Sequence, residues 1–188
     1  MRISGGAARG IPLSVPRGDA VRPATDGMRQ AVFSSLGARV PGARFLDLFA
    51  GSGAYGLEAI SRGAAGGVFI EKNAKAAACV RQNLAAVCKS TGVSASVASV
   101  RQMDALSFAL APDETPDLVF IDPPYELIAE LAPALFARLA DALVAKPDAL
   151  VVFESPGELE LAPAGWTLRK RLGKGAHQPT VAFFSPTV

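Results

Sequence analysis

Apolar and polar positions along the first half of the chain follow two periods, and these periods predict strands separated by helices. Residues 27–39 carry apolar side chains at a four-residue spacing and predict a helix with Asp26 as its N-cap. The runs ARFLDLF and GGVFIE predict buried strands, and GLEAISRG between them predicts a short helix that ends at Gly63. An apolar stripe then predicts a long helix ending before Gly92; its members are Ala76, Val80, Leu84 and Val87.

The second half of the chain continues this alternation but ends differently. SASVASV predicts a third strand, PDLVFID a fourth that is buried on both faces, and DALVVFES a fifth. Before the fifth strand, a four-residue apolar spacing predicts a helix with Leu131, Leu135, Leu139 and Leu143. Pro133 could split the start of this helix. WTLRKRL and TVAFFS have no helix between them and should pair antiparallel. We therefore expect an α/β fold: a mostly parallel seven-stranded sheet, helices on both faces and a C-terminal antiparallel hairpin.

The N-terminal segment differs from the rest in composition and charge. Residues 5–23 are dense in Gly and Pro, which predicts a small β-hairpin arm rather than a core element. Net charge is +3 over residues 1–30, −5 over 31–160 and +4 over 161–188. Basic ends suggest contact with a polyanion, although ordinary surface scatter explains them equally well. We divide the chain into an arm at 1–22, which we expect to contact RNA, and a domain at 23–188.

Composition argues against several classes of protein. The sequence contains no run of 18 apolar residues, so it predicts no membrane span. The opening MRISGGAARG lacks the apolar stretch of a secretory signal. Cys79 and Cys88 fall on opposite faces of one predicted helix, so we expect two unpaired thiols and a reducing cytoplasm. HExxH, CxxC and GxSxG do not occur, which argues against the common metal, redox and serine-hydrolase chemistries; we expect no metal.

A glycine-rich loop directly follows the first buried strand. FLDLFAGSGAYGLEAIS places Gly51, Gly53 and Gly56 in the spacing G-x-G-x-x-G. Ligands of open parallel sheets bind at the carboxyl ends of strands, where glycines let the backbone approach them closely. Glu71 ends the second strand and can accept both hydroxyls of a ribose. These features indicate an adenosyl ligand and leave NAD and S-adenosylmethionine both open.

Two features favour S-adenosylmethionine. Asp47 stands four residues before the first glycine, at the tip of the strand, where a carboxylate repels a pyrophosphate but suits an ammonium group. The second feature is DPPY, residues 122–125, after the fourth strand. Asp122 and the Pro123 carbonyl can accept both hydrogens of one exocyclic amine, and Tyr125 offers a ring for a base to stack on. Such acceptors aim the amine lone pair at a sulfonium methyl and stabilise the charge that develops on nitrogen.

With these motifs, three further segments resemble one family. They are RPATDGMRQAVFSSL at 22–36, the opening MRISGGAARG and the ending LRKRLGKGAHQPTVAFF, and they are similar to bacterial RsmD-type 16S ribosomal RNA guanine-N2 methyltransferases. The resemblance covers nearly the whole chain and implies the Rossmann-like class I methyltransferase fold. It implies methyl transfer from S-adenosyl-L-methionine, with S-adenosyl-L-homocysteine as product, to a guanine N2 of 16S rRNA; the family expectation is guanine 966. We expect a cytoplasmic monomer that acts on an assembling or complete small ribosomal subunit and contacts no membrane.

The resemblance also implies roles for individual residues. Asp47 and the glycine loop would hold the methionine end of the cofactor, Glu71 the ribose and Asp104 the adenine amino group. The full set of expected cofactor residues is Thr25, Asp47, Phe49, Ala50, Gly51, Ser52, Gly53, Glu71, Lys72, Asp104, Ala105 and Asp122. The residues expected at the target guanine are Asp122, Pro123 and Tyr125, and those expected at RNA are Arg2, Arg9, Arg17, Arg22 and Arg29. Arg22 and Thr25 would close over the cofactor. Gly27 replaces a residue that is usually basic in the family, so RNA contact there is either weaker or supplied by Arg29.

Three other functions stay open. A DNA adenine-N6 methyltransferase uses the same DPPY chemistry, but 188 residues leave little room for a segment that recognises DNA sequence. A non-catalytic RNA-binding protein with a relic fold has no need of an intact Asp47, Glu71 and DPPY. An NAD-dependent oxidoreductase requires hydride-transfer residues and a substrate domain, and the sequence offers no sign of either.

Overall fold

Strands and helices alternate over most of the chain. The computed structural model describes residues 1–15, 26–173 and 178–187. Its α-helices are α1 (Asp26–Leu36), α2 (Ala54–Ser61), α3 (Ala74–Thr91) and α4 (Ile128–Ala142). Its strands are β1 (Arg44–Leu48), β2 (Gly66–Glu71), β3 (Ala98–Gln102), β4 (Leu118–Ile121), β5 (Leu150–Pro156), β6 (Trp166–Leu172) and β7 (Pro179–Pro186). Within these described ranges, no helix is both long and apolar enough to cross a membrane.

The seven strands form one sheet in the order β3-β2-β1-β4-β5-β7-β6. The first five strands in chain order are parallel, and β7 pairs antiparallel with both β5 and β6. The predicted α/β fold with a C-terminal antiparallel hairpin is therefore confirmed. The chain builds the sheet outward from β1 in both directions, so the carboxyl ends of β1 and β4 flank the crevice where open parallel sheets bind ligands.

Side chains alternate between two apolar cores, one on each face of the sheet. Phe45 and Phe69 pack beneath α1, α2 and α3, whereas Leu46 and Val68 pack beneath α4. Gly56 of α2 lies directly over the first core. A Cβ atom there would lie 2.4 Å from Phe69 and 2.6 Å from Phe45, so only glycine allows α2 to lie this close to the sheet.

Local sequence determines both ends of α3. The Asn73 side chain accepts hydrogen bonds from the amides of Lys75 and Ala76 at 2.9 and 3.1 Å, which caps the first turn. Gly92 ends the helix with a φ of 73°, as the sequence predicts. The helix also carries the two cysteines, and both are buried free thiols, in agreement with the prediction.

Three predicted details of the helices and strands were wrong. Asp26 lies inside the first turn of α1 rather than capping it. The third strand begins only at Ala98, because the Ser94 side chain accepts a hydrogen bond from the Ser96 amide and caps a 3-10 turn before the strand. Pro133 does not split α4; the carbonyl of Ala129, which loses its helical partner, lies in an exposed turn where water can solvate it.

Residues 1–15 form a short hairpin that packs on the domain. The Ile3 amide donates to the Ile11 carbonyl at 3.0 Å, and the Gly10 amide donates to the Ile3 carbonyl at 2.9 Å. The predicted hairpin is confirmed, but its predicted exclusion from the core is wrong. Ile3, Ala8 and Leu13 are buried and belong to the apolar core beneath the first three helices.

The hairpin runs along α2, with its open end beside the glycine loop. Ser14 bonds to Asn83 of α3, and the Ser52 hydroxyl reaches the sulfur of Met1. At the tip, the Ala8 amide donates to the Ser61 hydroxyl at 2.9 Å, at the end of α2. The predicted boundary between residues 22 and 23 lies outside the described residues.

A buried ion pair joins α1 to α2. The side chains of Arg29 and Glu58 are both fully buried, and Arg29 Nε donates to Glu58 at 3.2 Å. Arg29 also donates to Asp26 at 2.8 Å and to the carbonyl of Arg2 in the hairpin. The prediction that Arg29 contacts RNA is therefore wrong, because its guanidinium is enclosed by protein groups.

Glu58 is the centre of this network. It accepts hydrogen bonds at 2.8 Å from both the amide and the hydroxyl of Ser4, and at 2.8 Å from Arg62 one turn later in α2. The hairpin and two helices thus share one buried carboxylate. A buried charge is tolerated only when it is paired and fully hydrogen-bonded, so the contacts of Glu58 are interdependent.

Replacing Glu58 with Ala should lower the free energy of unfolding by about 3–5 kcal/mol, because it leaves the Arg29 guanidinium buried without its main partner. Urea denaturation of the purified protein measures the change. The control is Asp148→Ala, which removes the exposed partner of Arg39 at 3.8 Å and should cost less than about 1 kcal/mol. A Glu58 variant as stable as this control would contradict the network.

Candidate active site

The loop between β1 and α2 turns sharply at the carboxyl end of β1. Phe49, Gly51 and Gly53 have positive φ angles of 59°, 55° and 79°. Glycine adopts such angles at little cost, whereas a phenylalanine held there is strained, and strained backbone of this kind concentrates at functional sites. The Gly53 amide closes the turn on the Ala50 carbonyl at 2.6 Å, immediately before α2.

Glu71 fastens this loop to the end of β2. One of its carboxylate oxygens accepts from the Gly51 amide at 2.9 Å, and the other accepts from the Asn73 amide at 2.7 Å. The structure thus brings together the glycine loop and the acid of the second strand. A carboxylate has about four acceptor positions, so Glu71 can hold the loop and still accept ribose hydroxyls.

Asp47 lies behind the loop rather than at the tip of β1. It is the penultimate residue of the strand, is buried, and accepts a hydrogen bond from the Gly56 amide at 2.9 Å. Burial raises the pKa of its carboxyl group to about 8; the Gly56 amide opposes this rise and the negative charge of Glu71 adds to it. Asp47 therefore helps to orient the start of α2 while keeping an acidic group under the loop.

The DPPY segment follows β4 directly, on the other side of the crevice. Asp122 is partly buried, Pro123 is buried and Tyr125 begins a 3-10 turn that leads into α4. Burial raises the pKa of the Asp122 carboxyl group well above its usual value, and the nearby negative charges of Glu154 and Asp47 raise it further. The neighbouring strands therefore bring Asp122 and Asp47 close enough to interact electrostatically.

The residues expected at the adenine lie at the ends of β2 and β3. The Lys72 ammonium and the Asp104 carboxylate form an exposed ion pair at 2.9 Å. Asp104 also accepts from the Leu106 amide at 2.8 Å, and this bond together with Lys72 lowers its pKa. Asp104 therefore caps the 3-10 turn that follows β3 and also pairs with Lys72. The side chain of Ala105 is buried in the core, so Ala105 can offer a ligand only its backbone.

Glu154 and Tyr55 lie at the site, although no sequence motif marks them. Glu154 of β5 is buried, and its carboxylate accepts a hydrogen bond from the Tyr55 hydroxyl of α2 at 3.0 Å. Burial raises the pKa of Glu154 to about 7, against the opposing effect of this bond. Burial also raises the pKa of the Tyr55 hydroxyl well above its usual value. The available sequence signal was the acid that ends the apolar run DALVVFE, next to the strand that ends in Asp122.

Asn83 is a second residue that the sequence analysis missed. Its buried side chain accepts from the Ser14 amide and donates to the carbonyls of Ser14 and Ser52, each at 2.9 Å. It thereby connects α3, the glycine loop and the N-terminal hairpin. The available signal was a polar residue next to the apolar stripe of α3, between Val80 and Val87.

Two of the residues expected at RNA are exposed. Arg2 and Arg9 lie on the surface of the hairpin, Arg2 in its paired part and Arg9 near its tip. Three other predicted residues, Thr25, Arg17 and Arg22, lie outside the described residues.

Acidic groups accumulate along this edge of the sheet. Asp47, Asp122 and Glu154 come from or directly follow three adjacent strands, and Glu71 ends a fourth. In the part of the chain that the structure describes, no group of three or more His, Cys, Asp or Glu residues is arranged to hold a metal ion. The edge suits a small organic cation, because partial burial makes charge attraction stronger than it is in water.

Comparisons with known proteins agree with this architecture. A family model described as Conserved hypothetical protein 95 matches residues 1–184. The Ribosomal RNA small subunit methyltransferase D of Escherichia coli is 40% identical over 177 residues, which cover 90% of this chain and 83% of that protein. The chain belongs to the RsmD-type family of ribosomal RNA methyltransferases. The predicted family is therefore confirmed.

Solved structures of other methyltransferases share the fold of this RsmD-type chain. The yhhF protein of E. coli superimposes with a TM-score of 0.77 and 31% identity over 99% of this chain and 97% of that one. An RNA methyltransferase from Salinibacter ruber, solved in complex with S-adenosyl-L-homocysteine, has a TM-score of 0.61 and 22% identity. The superposition covers 87% of this chain and 94% of the Salinibacter ruber chain. At this level of identity it supports only the fold, which is the Rossmann-like class I fold.

In this RsmD-type protein, Glu71→Ala should weaken S-adenosyl-L-methionine binding by about 1.5–3 kcal/mol, because it removes the carboxylate that we expect to accept the ribose hydroxyls and the loop loses its bond at Gly51. Isothermal titration calorimetry measures the change, and activity should recover at saturating cofactor. The exposed acid of α4 provides the control Glu130→Ala, which should bind as the parent does. Unchanged affinity in the Glu71 variant would mean that the ribose is held elsewhere.

Proposed function

We propose that this ribosomal RNA methyltransferase transfers the methyl group of S-adenosyl-L-methionine to the exocyclic N2 of a guanine in 16S rRNA, the family expectation being guanine 966. The observation that carries the proposal is the position of Asp122, which follows β4 across the crevice from the glycine loop of β1. This position supports a role for Asp122 as an acceptor for the target amine, beside the acidic edge proposed for the cofactor.

The residues at this edge fit the cofactor. Glycines at positive φ allow the backbone to approach it closely, Glu71 suits its ribose, and the acids under the loop suit its ammonium and sulfonium groups. When bound, S-adenosyl-L-methionine supplies an electrophilic methyl group on a positively charged sulfur. Asp47 and the loop would hold the methionine end, and Asp104 would face the adenine.

The DPPY segment would orient the target base. The Asp122 carboxylate and the Pro123 carbonyl accept the two hydrogens of the amine, which directs the nitrogen lone pair towards the methyl carbon. Negative charge at Asp122 stabilises the positive charge that develops on nitrogen. Tyr125 supports the base by stacking. No covalent intermediate is needed, because positioning and electrostatic stabilisation suffice for a direct transfer.

The setting of the reaction is part of the proposal. We assign the protein to the cytoplasm, as a monomer that acts on an assembling or complete small ribosomal subunit. The exposed Arg2 and Arg9 would contact phosphates of the RNA that flanks the target, since arginine binds phosphate through charge-assisted hydrogen bonds.

A methylation assay tests the function directly. Tritiated S-adenosyl-L-methionine is supplied with small subunits from cells that lack this protein, with free 16S rRNA and with duplex DNA, and the labelled base is identified after digestion. We expect label in N2-methylguanine of the 16S rRNA, in at least one of the two RNA substrates. Label in N6-methyladenine of the DNA would support the DNA methyltransferase alternative and contradict the proposal.

Asp122→Ala should abolish methyl transfer while cofactor affinity stays within a few-fold of the parent, because Asp122 faces the amine rather than the ribose or adenine. Turnover on the RNA substrate and calorimetric titration of cofactor give the two readouts. Asp141→Ala, at an exposed position of α4, is the control and should leave both unchanged. Loss of binding as complete as the loss of turnover would place Asp122 in the cofactor site instead.

Changing Arg2 and Arg9 together to Ala should weaken RNA binding and make its salt dependence shallower, by roughly one phosphate contact per engaged arginine. Filter binding over a range of salt concentrations measures both quantities, and Lys89→Ala on α3 is the single-charge control. Cofactor affinity should not change. Parental affinity with a parental salt slope would make the hairpin a scaffold and direct the search for the RNA surface to Arg169, Lys170 and Arg171.

A further inference from the structure

Three carboxyl groups converge on one face of the sheet, beneath α1 and α2. Each acid comes two residues after an apolar residue of the core under the first three helices. Asp47 follows Phe45, Asp122 follows Phe120, and Glu154 follows Val152. Strand register places their strands side by side, with Asp47 paired to Phe120 and Ile121 paired to Phe153. Since side chains two residues apart share a face, the three acids lie on one face of the sheet, with Asp122 between Asp47 and Glu154.

The groups around Glu154 are acidic or neutral. The Tyr55 hydroxyl faces it from α2, Asp47 and Asp122 lie towards β1 and β4, and Val181 is its partner in β7. Glu71 lies beyond Asp47 at the end of β2.

The Arg29 guanidinium of α1 acts electrostatically on Tyr55. It is already bound by Asp26 and Glu58. Among the described residues, the cluster therefore has hydrogen-bond donors but no cation of its own.

Cofactor and product differ in the charge that such a cluster detects. S-adenosyl-L-methionine carries a sulfonium, whereas S-adenosyl-L-homocysteine carries a neutral thioether and is otherwise the same molecule apart from the methyl group. Hydrogen bonds to ribose, adenine and the amino acid end are common to both and cannot distinguish them. A nearby negative charge, in contrast, favours the cofactor over the product.

We propose that Glu154 distinguishes cofactor from product by charge, being ionised beneath the sulfonium and protonated when the thioether replaces it. This inference rests on the proposed cofactor site at the carboxyl edge. Glu154 then acts as a specificity-determining residue, held in place by Tyr55. Binding of the cofactor expels a proton from the cluster, and the affinity for cofactor relative to product increases with pH.

Asp122 and Glu154 also take up the proton that the reaction releases. Methyl transfer forms the nitrogen–carbon bond, breaks the sulfur–carbon bond and leaves the electron pair on sulfur, so the positive charge passes to the amine. The amine becomes neutral by giving a proton to Asp122. Asp122 and Glu154, whose charges interact, share this proton until the next cofactor molecule displaces it to solvent.

The sign of the pH effect follows from the cluster itself. The pKa of Glu154 is about 7 and that of Asp47 about 8, so both groups are partly protonated near neutral pH. A cationic ligand stabilises their ionised forms and lowers these pKa values. Cofactor affinity should therefore increase from pH 6 to pH 8.5, whereas product affinity should change less.

The test is calorimetric titration of S-adenosyl-L-methionine and S-adenosyl-L-homocysteine into parent and Glu154→Gln protein at pH 6, 7 and 8.5. Two buffers of different ionisation enthalpy give the number of protons released. In the parent we expect proton release with the cofactor and a cofactor-to-product affinity ratio that increases by about threefold or more across this range. In Glu154→Gln, which preserves side-chain shape and can still accept from Tyr55, the ratio should fall and should depend less on pH than in the parent, because only Asp47 and Asp122 remain to titrate.

Two further variants separate a charge effect from a packing effect. Tyr55→Phe removes the hydrogen bond that favours the ionised Glu154, so the midpoint of proton release should move to higher pH. Glu130→Gln removes an exposed acid of α4 and should leave the ratio at the parental value. An unchanged midpoint in Tyr55→Phe would overturn the role of this pair.

The inference is overturned if Glu154→Gln weakens both ligands equally or changes neither, since packing, rather than charge, would then explain the residue. These outcomes do not depend on which nucleic acid is methylated. Failure of the proposed function would appear instead as absence of N2-methylguanine in the labelled RNA, with the ligand titrations unaffected.

Discussion

Burial of carboxyl groups at the carboxyl edge of the parallel sheet is the constraint on which the proposed site depends. A buried carboxylate without a cation is costly, so each acid either accepts hydrogen bonds or takes up a proton. Asp47 is satisfied by the Gly56 amide and Glu154 by the Tyr55 hydroxyl. Both donors belong to α2, so the position of this helix, which Gly56 allows to lie close to the sheet, also determines the electrostatics of the site.

The same helix connects the site to the N-terminal hairpin. Glu58 of α2 binds the hairpin and α1 through a buried ion pair, and Asn83 of α3 ties Ser14 to the glycine loop. The hairpin was expected to be a separate arm, but it supplies part of the core. The exposed Arg2 and Arg9 are therefore presented from a rigid support, which in the proposed function would reduce the entropy lost on RNA binding.

Much of the fold and part of the site could be predicted from the sequence, because their signals are local. Buried strands appear as apolar runs, and the glycine loop, Glu71 and DPPY follow them directly in the chain. The pairing of Tyr55 with Glu154 joins residues 99 positions apart and depends on the register of β5, which no local pattern contains. Arg29 looked like a surface residue of an amphipathic helix, because nothing near it in sequence reveals that Glu58 lies opposite.

The central claim is that the acidic edge binds a cationic adenosyl ligand rather than a dinucleotide. Thermal unfolding of the protein with S-adenosyl-L-methionine or NAD, each at the same concentration, tests this most directly, because a ligand stabilises the folded state it binds. We expect S-adenosyl-L-methionine to raise the melting temperature by several degrees and NAD to leave it unchanged. An equal or larger rise with NAD would contradict it.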